Sequence, residues 1–246
     1  MSRTVGFAYP GARIQACYGR LVSQAAWGRL RRLDTLSGFL QAARDTALRP
    51  WLTQLDVTAE PHQIEAQLRA LFRRRVGEVS EWSPPAWRPA VAWVAVLPDL
   101  PAMTARVRGV EAPWLPADSG PGRMGAGAAR ASAELRGLQD AFRAGQLPAQ
   151  AWLARWRALW PATRAAERRG LERLVALLDP AARGAGADAA TAQAALQRPL
   201  RDLFRRDTRR PAGLFAWLAL SWIEFATLRG ALLRRRLALP LEGGLA

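Results

Sequence analysis

The 246-residue chain contains no lysine, no asparagine, one cysteine, one histidine and three isoleucines. Each shortage closes off a class of chemistry. With Cys17 alone, no intramolecular disulfide and no cysteine-built metal site can form. A lone thiol also needs a nearby base before it acts as a nucleophile, so Cys17 reads as a small buried helix residue. With His62 alone, histidine zinc sites and Ser-His or Cys-His catalysis have little to draw on. β-Branched residues are sparse beside Ala, Leu and Arg, which favours helix. No Walker-type phosphate loop or dinucleotide fingerprint occurs. Gly120-Pro-Gly-Arg-Met-Gly is glycine-rich, but no strand precedes it and no Lys-Ser/Thr closes it. The carboxylates are scattered, with no spacing suited to a bound metal or an acid/base pair. With these patterns missing, no cofactor is expected; the apolar part of the N-terminus, Val5 to Ala8, is too short for a secretory core, which implies a cytoplasmic protein.

What remains is arginine, alanine and leucine. Half the residues are hydrophobic, enough for a core. The net charge is +16, carried wholly by arginine, and it favours nucleic acid, anionic lipid heads or an acidic partner. The spacing predicts a first helix from Ala12 to Leu33, with Ile14, Tyr18, Leu21, Val22 and Ala25 as its stripe. Asp34-Thr35 caps a second helix, Leu36 to Leu48, stopped by Pro50. A third opens at Thr58-Ala-Glu-Pro and runs from Gln63 to Val76, with Gly77 as its C-terminal cap and Arg73-Arg74-Arg75 as a solvated end. Residues 1–81 thus form an N-terminal bundle. Residues 82–127 are rich in Pro and Trp, with short helices at Ala86 to Leu97 and Ala102 to Val107 and a loop from Ala112 to Gly127. Residues 128–246 form a C-terminal bundle. In it Pro148 starts a helix, Pro161 kinks or restarts it, Gly184 to Gly186 break the chain and Asp188 caps the next helix, which Pro199 bends.

The last long helix organises the rest. From Pro211 to Leu237 the sequence is apolar nearly all round as far as Leu228, which demands burial in a bundle or in lipid. Glu224 interrupts it. A buried carboxylate needs a partner or a proton. Arg229, five residues on, projects from another face, so Glu224 reaches a different helix or stands at a bundle edge, the commoner place for a glutamate. Arg13, or another N-terminal arginine, is the candidate partner, tying the two ends of the chain together; a solvated Arg13, the commoner fate of the residue type, is the alternative.

The motif Glu224, then Leu228-Arg229, then Arg234 or Arg235, then Leu237 to Pro240 resembles the C-terminal helix of the C-type subunit of V-type ATPases, a family that includes the d-type subunit of the membrane sector. The opening agrees: Tyr9 followed by Ala12-Arg13-Ile14 resembles that family's first helix. The resemblance implies an all-α fold of two to three small bundles arranged as a funnel, with a long buried C-terminal helix. It implies a non-catalytic adaptor that links the rotor axle to the membrane proteolipid ring for coupled ion transport. The partners would be axle subunits, the ring and an anionic membrane surface at the inner face of the cell membrane. Glu224, Arg229, Arg13 and Tyr9 would be structural. Two other readings stand beside it: an Arg-rich helical nucleic-acid-binding protein, and a membrane-inserted protein, which Glu224 opposes.

Overall fold

The computed structural model describes residues 6–107, 137–138, 140–182 and 189–238. These residues form helices and connecting turns, with no strand among them. The expected loop at Ala112 to Gly127, the opening of the second bundle at Ala128, the Gly184 to Gly186 break, the Asp188 cap and the end of the Leu237 to Pro240 motif lie outside the described residues.

The N-terminal part begins with α1 (Ala8–Tyr18), α2 (Gln24–Arg31) and α3 (Leu36–Arg44). The single helix expected over Ala12 to Leu33 is therefore two. Ser23 takes an extended conformation and its Oγ accepts the Ala26 N–H at 3.1 Å, opening a new helix. Val22 lies buried in the gap. Thr35 caps α3 as expected, accepting the Gly38 N–H at 3.2 Å. That helix ends at Arg44, short of Leu48, because Thr46 competes for the backbone: its hydroxyl donates to the Ala43 carbonyl and accepts the Leu48 N–H. A 3₁₀ turn, Arg49–Trp51, follows and buries Trp51.

Next comes α4 (Pro61–Trp82), with the Gln63 side chain accepting the Glu60 N–H at 2.9 Å. It runs well past Gly77, which caps nothing. Val76 and Val79 keep the apolar face in register, and the helix stops only at Ser83, ahead of Pro84 and Pro85. The Pro/Trp-rich segment then winds through 3₁₀ turns at Pro85–Trp87 and Val94–Asp99 around α5 (Arg88–Trp93), and on into α6 (Leu100–Val107). Trp87 and Trp93 are buried. The Trp93 indole donates to the Trp152 carbonyl at 3.1 Å and the Trp152 indole donates back to the Trp93 carbonyl at 3.3 Å. This reciprocal pair fastens α5 to α7 (Pro148–Ala158).

Pro161 separates α7 from α8 (Ala165–Ala182), and Pro199 lies inside α9 (Ala189–Arg206). The chain finishes its described part with α10 (Pro211–Ala238). This helix is the hub: it packs against α9, α4, α8, α1 and α3. One hydrophobic cluster extends from Phe7 to Leu232. Leu214, Phe225, Leu228 and Leu232 of α10 are each at most 1% exposed. Fully burying such a side chain contributes about 1.5–3 kcal/mol. The stretch Pro211–Leu237 has the length and apolarity to cross a membrane, yet 78% of its most apolar part is buried inside the protein. Neighbouring helices on several sides explain why it is apolar nearly all round.

The turn between α9 and α10 is tightly held. A Cβ on Gly213 would stand 2.1 Å from the Asp207 carbonyl oxygen, and one on Gly11 of α1 would stand 2.5 Å from that of Thr208. Only glycine allows those approaches.

Candidate functional site: a buried carboxylate and its partners

Glu224 is 6% exposed, midway along α10. Its Oε2 accepts the backbone N–H of Val22 at 3.0 Å, and its Oε1 accepts the Trp51 indole N–H at 2.8 Å. The Arg75 guanidinium lies 3.7 Å from Oε1. The gap between α1 and α2 is what exposes the Val22 N–H, since its residues are not in a helix. Arg75 is held by more than charge: its guanidinium stacks 4.1 Å over the Trp51 ring and lies 6.0 Å from the Trp217 ring. Burial raises the Glu224 pKa, with the Val22 N–H, the Trp51 indole and Arg75 pulling it back. Burial likewise lowers the pKa of Arg75, with Glu224 opposing.

The expected partner was Arg13, and the structure corrects this. Arg13 is exposed, donates to the Tyr9 hydroxyl at 2.7 Å and covers the Trp82 ring at 4.4 Å. It sits on the outer side of α1, away from the carboxylate. Tyr9 is 58% exposed. Glu224 does bind the N-terminal region, through the Val22 main-chain N–H and through another N-terminal arginine, Arg75 of α4, in place of Arg13. Arg229 belongs to a second ionic set. Its Nε donates to Glu65 Oε2 at 2.5 Å, Glu65 Oε1 accepts from Arg69 at 2.6 Å, and Asp99 lies 3.6 Å from Arg69 and 2.6 Å from Arg73. Glu65 and Arg69 are buried, so each depends on the other for its charge.

Arg235 lies near the end of α10, where a cation complements the helix dipole. It is buried. Its guanidinium donates to the carbonyls of Leu33 at 2.8 Å, Ala231 at 2.8 Å and Leu30 at 3.0 Å, and lies 4.3 Å from the Phe39 ring. It thereby satisfies the open C-terminal carbonyls of α2. Glu224, Arg229 and Arg235 thus anchor α10 to three different parts of the N-terminal region.

Sequence reasoning missed Arg75, Trp51, Glu65 and Arg69. Arg75 sat in a run of three arginines that resembles a solvated helix end. The available signal for Glu65 was the spacing to Arg69, i to i+4 on one helix face.

A separate apolar cavity of about 290 Å³ lies between α10, α7, α8 and α9, with Leu97, Trp152, Trp156, Leu178, Leu218 and Trp222 among its walls. Among the described residues that line it, Gln193 and the tryptophan indoles are polar. Among the described residues no group of three or more His, Cys, Asp or Glu side chains is placed to hold a metal ion. The arrangement of named charges is one that holds helices in register.

Compared with protein-family models, curated proteins and solved structures, the chain matches none.

Proposed function

We propose that this chain is a non-catalytic central-stalk adaptor of a V-type rotary ATPase, joining the rotor axle to the membrane proteolipid ring for coupled ion transport. One observation carries the reading. The two sequence patterns that resemble the C-type subunit, at Tyr9 to Ile14 and at Glu224 to Arg235, lie on α1 and α10, which pack against each other. Glu224 then fixes the segment that follows α1 through the Val22 N–H.

The chemistry suits the task. A body that passes torque must resist sliding between its parts, and apolar contact alone is non-directional. Here hydrogen bonds and ion pairs set the register between α10 and the N-terminal helices. The adaptor is peripheral to the inner face of the membrane, and the funnel arrangement of its bundles belongs to the same proposal.

The test is co-expression with the axle subunits and proteolipid ring of a V-type ATPase. A complex that co-purifies through size exclusion supports the reading, and release from membranes by salt without detergent supports its peripheral place. Failure to associate with correctly folded axle and ring overturns it. Salt-steep retention on DNA or RNA without axle binding would instead favour the nucleic-acid reading.

A further inference from the structure

The turn between α9 and α10 gathers positive charge around one buried acid. The Asp207 side chain is fully buried, and it faces Arg210 at 3.2 Å, Arg173 at 3.5 Å and Arg206 at 3.6 Å. Those three guanidiniums are about half exposed, at 51%, 47% and 56%. One carboxylate cannot neutralise three arginines, and each guanidinium carries five N–H donors in a planar fork. Arg209 in the turn and Arg169, one helical turn before Arg173, are also exposed and make no ion pair among the described residues. From Arg198 to Arg210 the chain carries six arginines against two aspartates.

The platform is also rigid. Gly213 and Gly11 press against the main chain of Asp207 and Thr208, so the arginine-bearing turn is fixed on α1 and α10. We propose that this end of the molecule is a docking surface for the phosphate headgroups of an anionic membrane. The inference rests on the adaptor reading for the nearness of a membrane. Excess charge on a compact, pre-ordered turn fits headgroups presented in a plane. Single-stranded nucleic acid is better served by a groove that tracks its backbone, with aromatic platforms along it.

The experiment uses the full chain and vesicles of phosphatidylcholine, with or without phosphatidylglycerol, in a co-sedimentation assay. Wild type binds only the anionic vesicles. The variant R205E/R209E changes exposed arginines and leaves the Asp207 set intact; with about fivefold in affinity per arginine at a headgroup surface, it loses about 25-fold or more. The control R29E/R31E, with the same change of net charge on α2, loses at most a few-fold. Circular dichroism and melting temperature confirm that both variants are folded. Equal losses in the two variants, or no binding by wild type, overturn the proposal. So does a short duplex RNA that binds more tightly than the anionic vesicles and loses that binding in R205E/R209E. Axle co-purification run in parallel separates the two readings: its survival without lipid binding removes only this inference, and lipid binding without it removes only the adaptor.

Discussion

Glu224 concentrates the physics of the molecule in one side chain. Substituting alanine strands two buried donors, Val22 N–H and Trp51 Nε1–H, and leaves Arg75 without its counter-charge. E224A should therefore lower stability by about 3–5 kcal/mol. E224Q keeps an acceptor and should cost only about 1–2 kcal/mol; urea unfolding of both variants measures the difference. The pH dependence follows from burial. The folded pKa of Glu224 is raised above its ordinary value of 4.5, so the folded state holds this proton more tightly than the unfolded chain. The stability it contributes is complete below about pH 4.5 and declines as pH climbs through the folded pKa. Wild type should then lose stability relative to E224Q as pH rises above 4.5; a difference that stays flat or grows the other way refutes the assignment. The sequence made the acid legible because it broke an apolar helix. Its cationic partner was not legible, because a run of arginines at a presumed helix end looks solvated. Arg75 turns inward only because α4 continues beyond it to Trp82.

At the scale of helices, composition and spacing foretold the class and most starts. Thr35, Pro61, Pro148 and Pro211 all open helices where they were expected to, or within a few residues. Ends were harder, because a glycine's role depends on what faces it. A methyl group on Gly77 would meet nothing within 4 Å, and the residue sits inside α4. G77A should stabilise the protein by about 0.5–1 kcal/mol by removing glycine's entropic penalty. Gly213 also lies in a helix, yet a methyl there collides with the Asp207 carbonyl. G213A must push backbone from backbone and should cost more than about 2 kcal/mol. Thermal melts of the two variants should move in opposite directions. The break between α1 and α2 hid in the sequence for a similar reason. Ser23 is compatible with a helix, and its capping role is decided by the buried Val22 and the carboxylate that takes its N–H.

For the molecule as a whole, the long terminal helix is shared property. α4, α3 and α1 of the N-terminal part and α9 and α8 of the C-terminal part all pack against α10. A fragment of residues 1–81 would expose the faces of Leu68, Phe72 and Trp51 that α10 covers, and it should show little cooperative melting alone. Adding a peptide spanning Pro211–Ala238 should restore helical signal; a fragment that melts cooperatively without it contradicts this account. The closing contacts have a further consequence. Val22 meets a residue 202 positions later, and Leu30 meets one 205 positions later. During synthesis on the ribosome, the first-made segment must therefore wait, unsealed, until almost the entire polypeptide has emerged. A premature stop before α10 would leave α1, α3, α4, α8 and α9 without the helix they share, and a nascent-chain protease assay should find protection arriving in one late step.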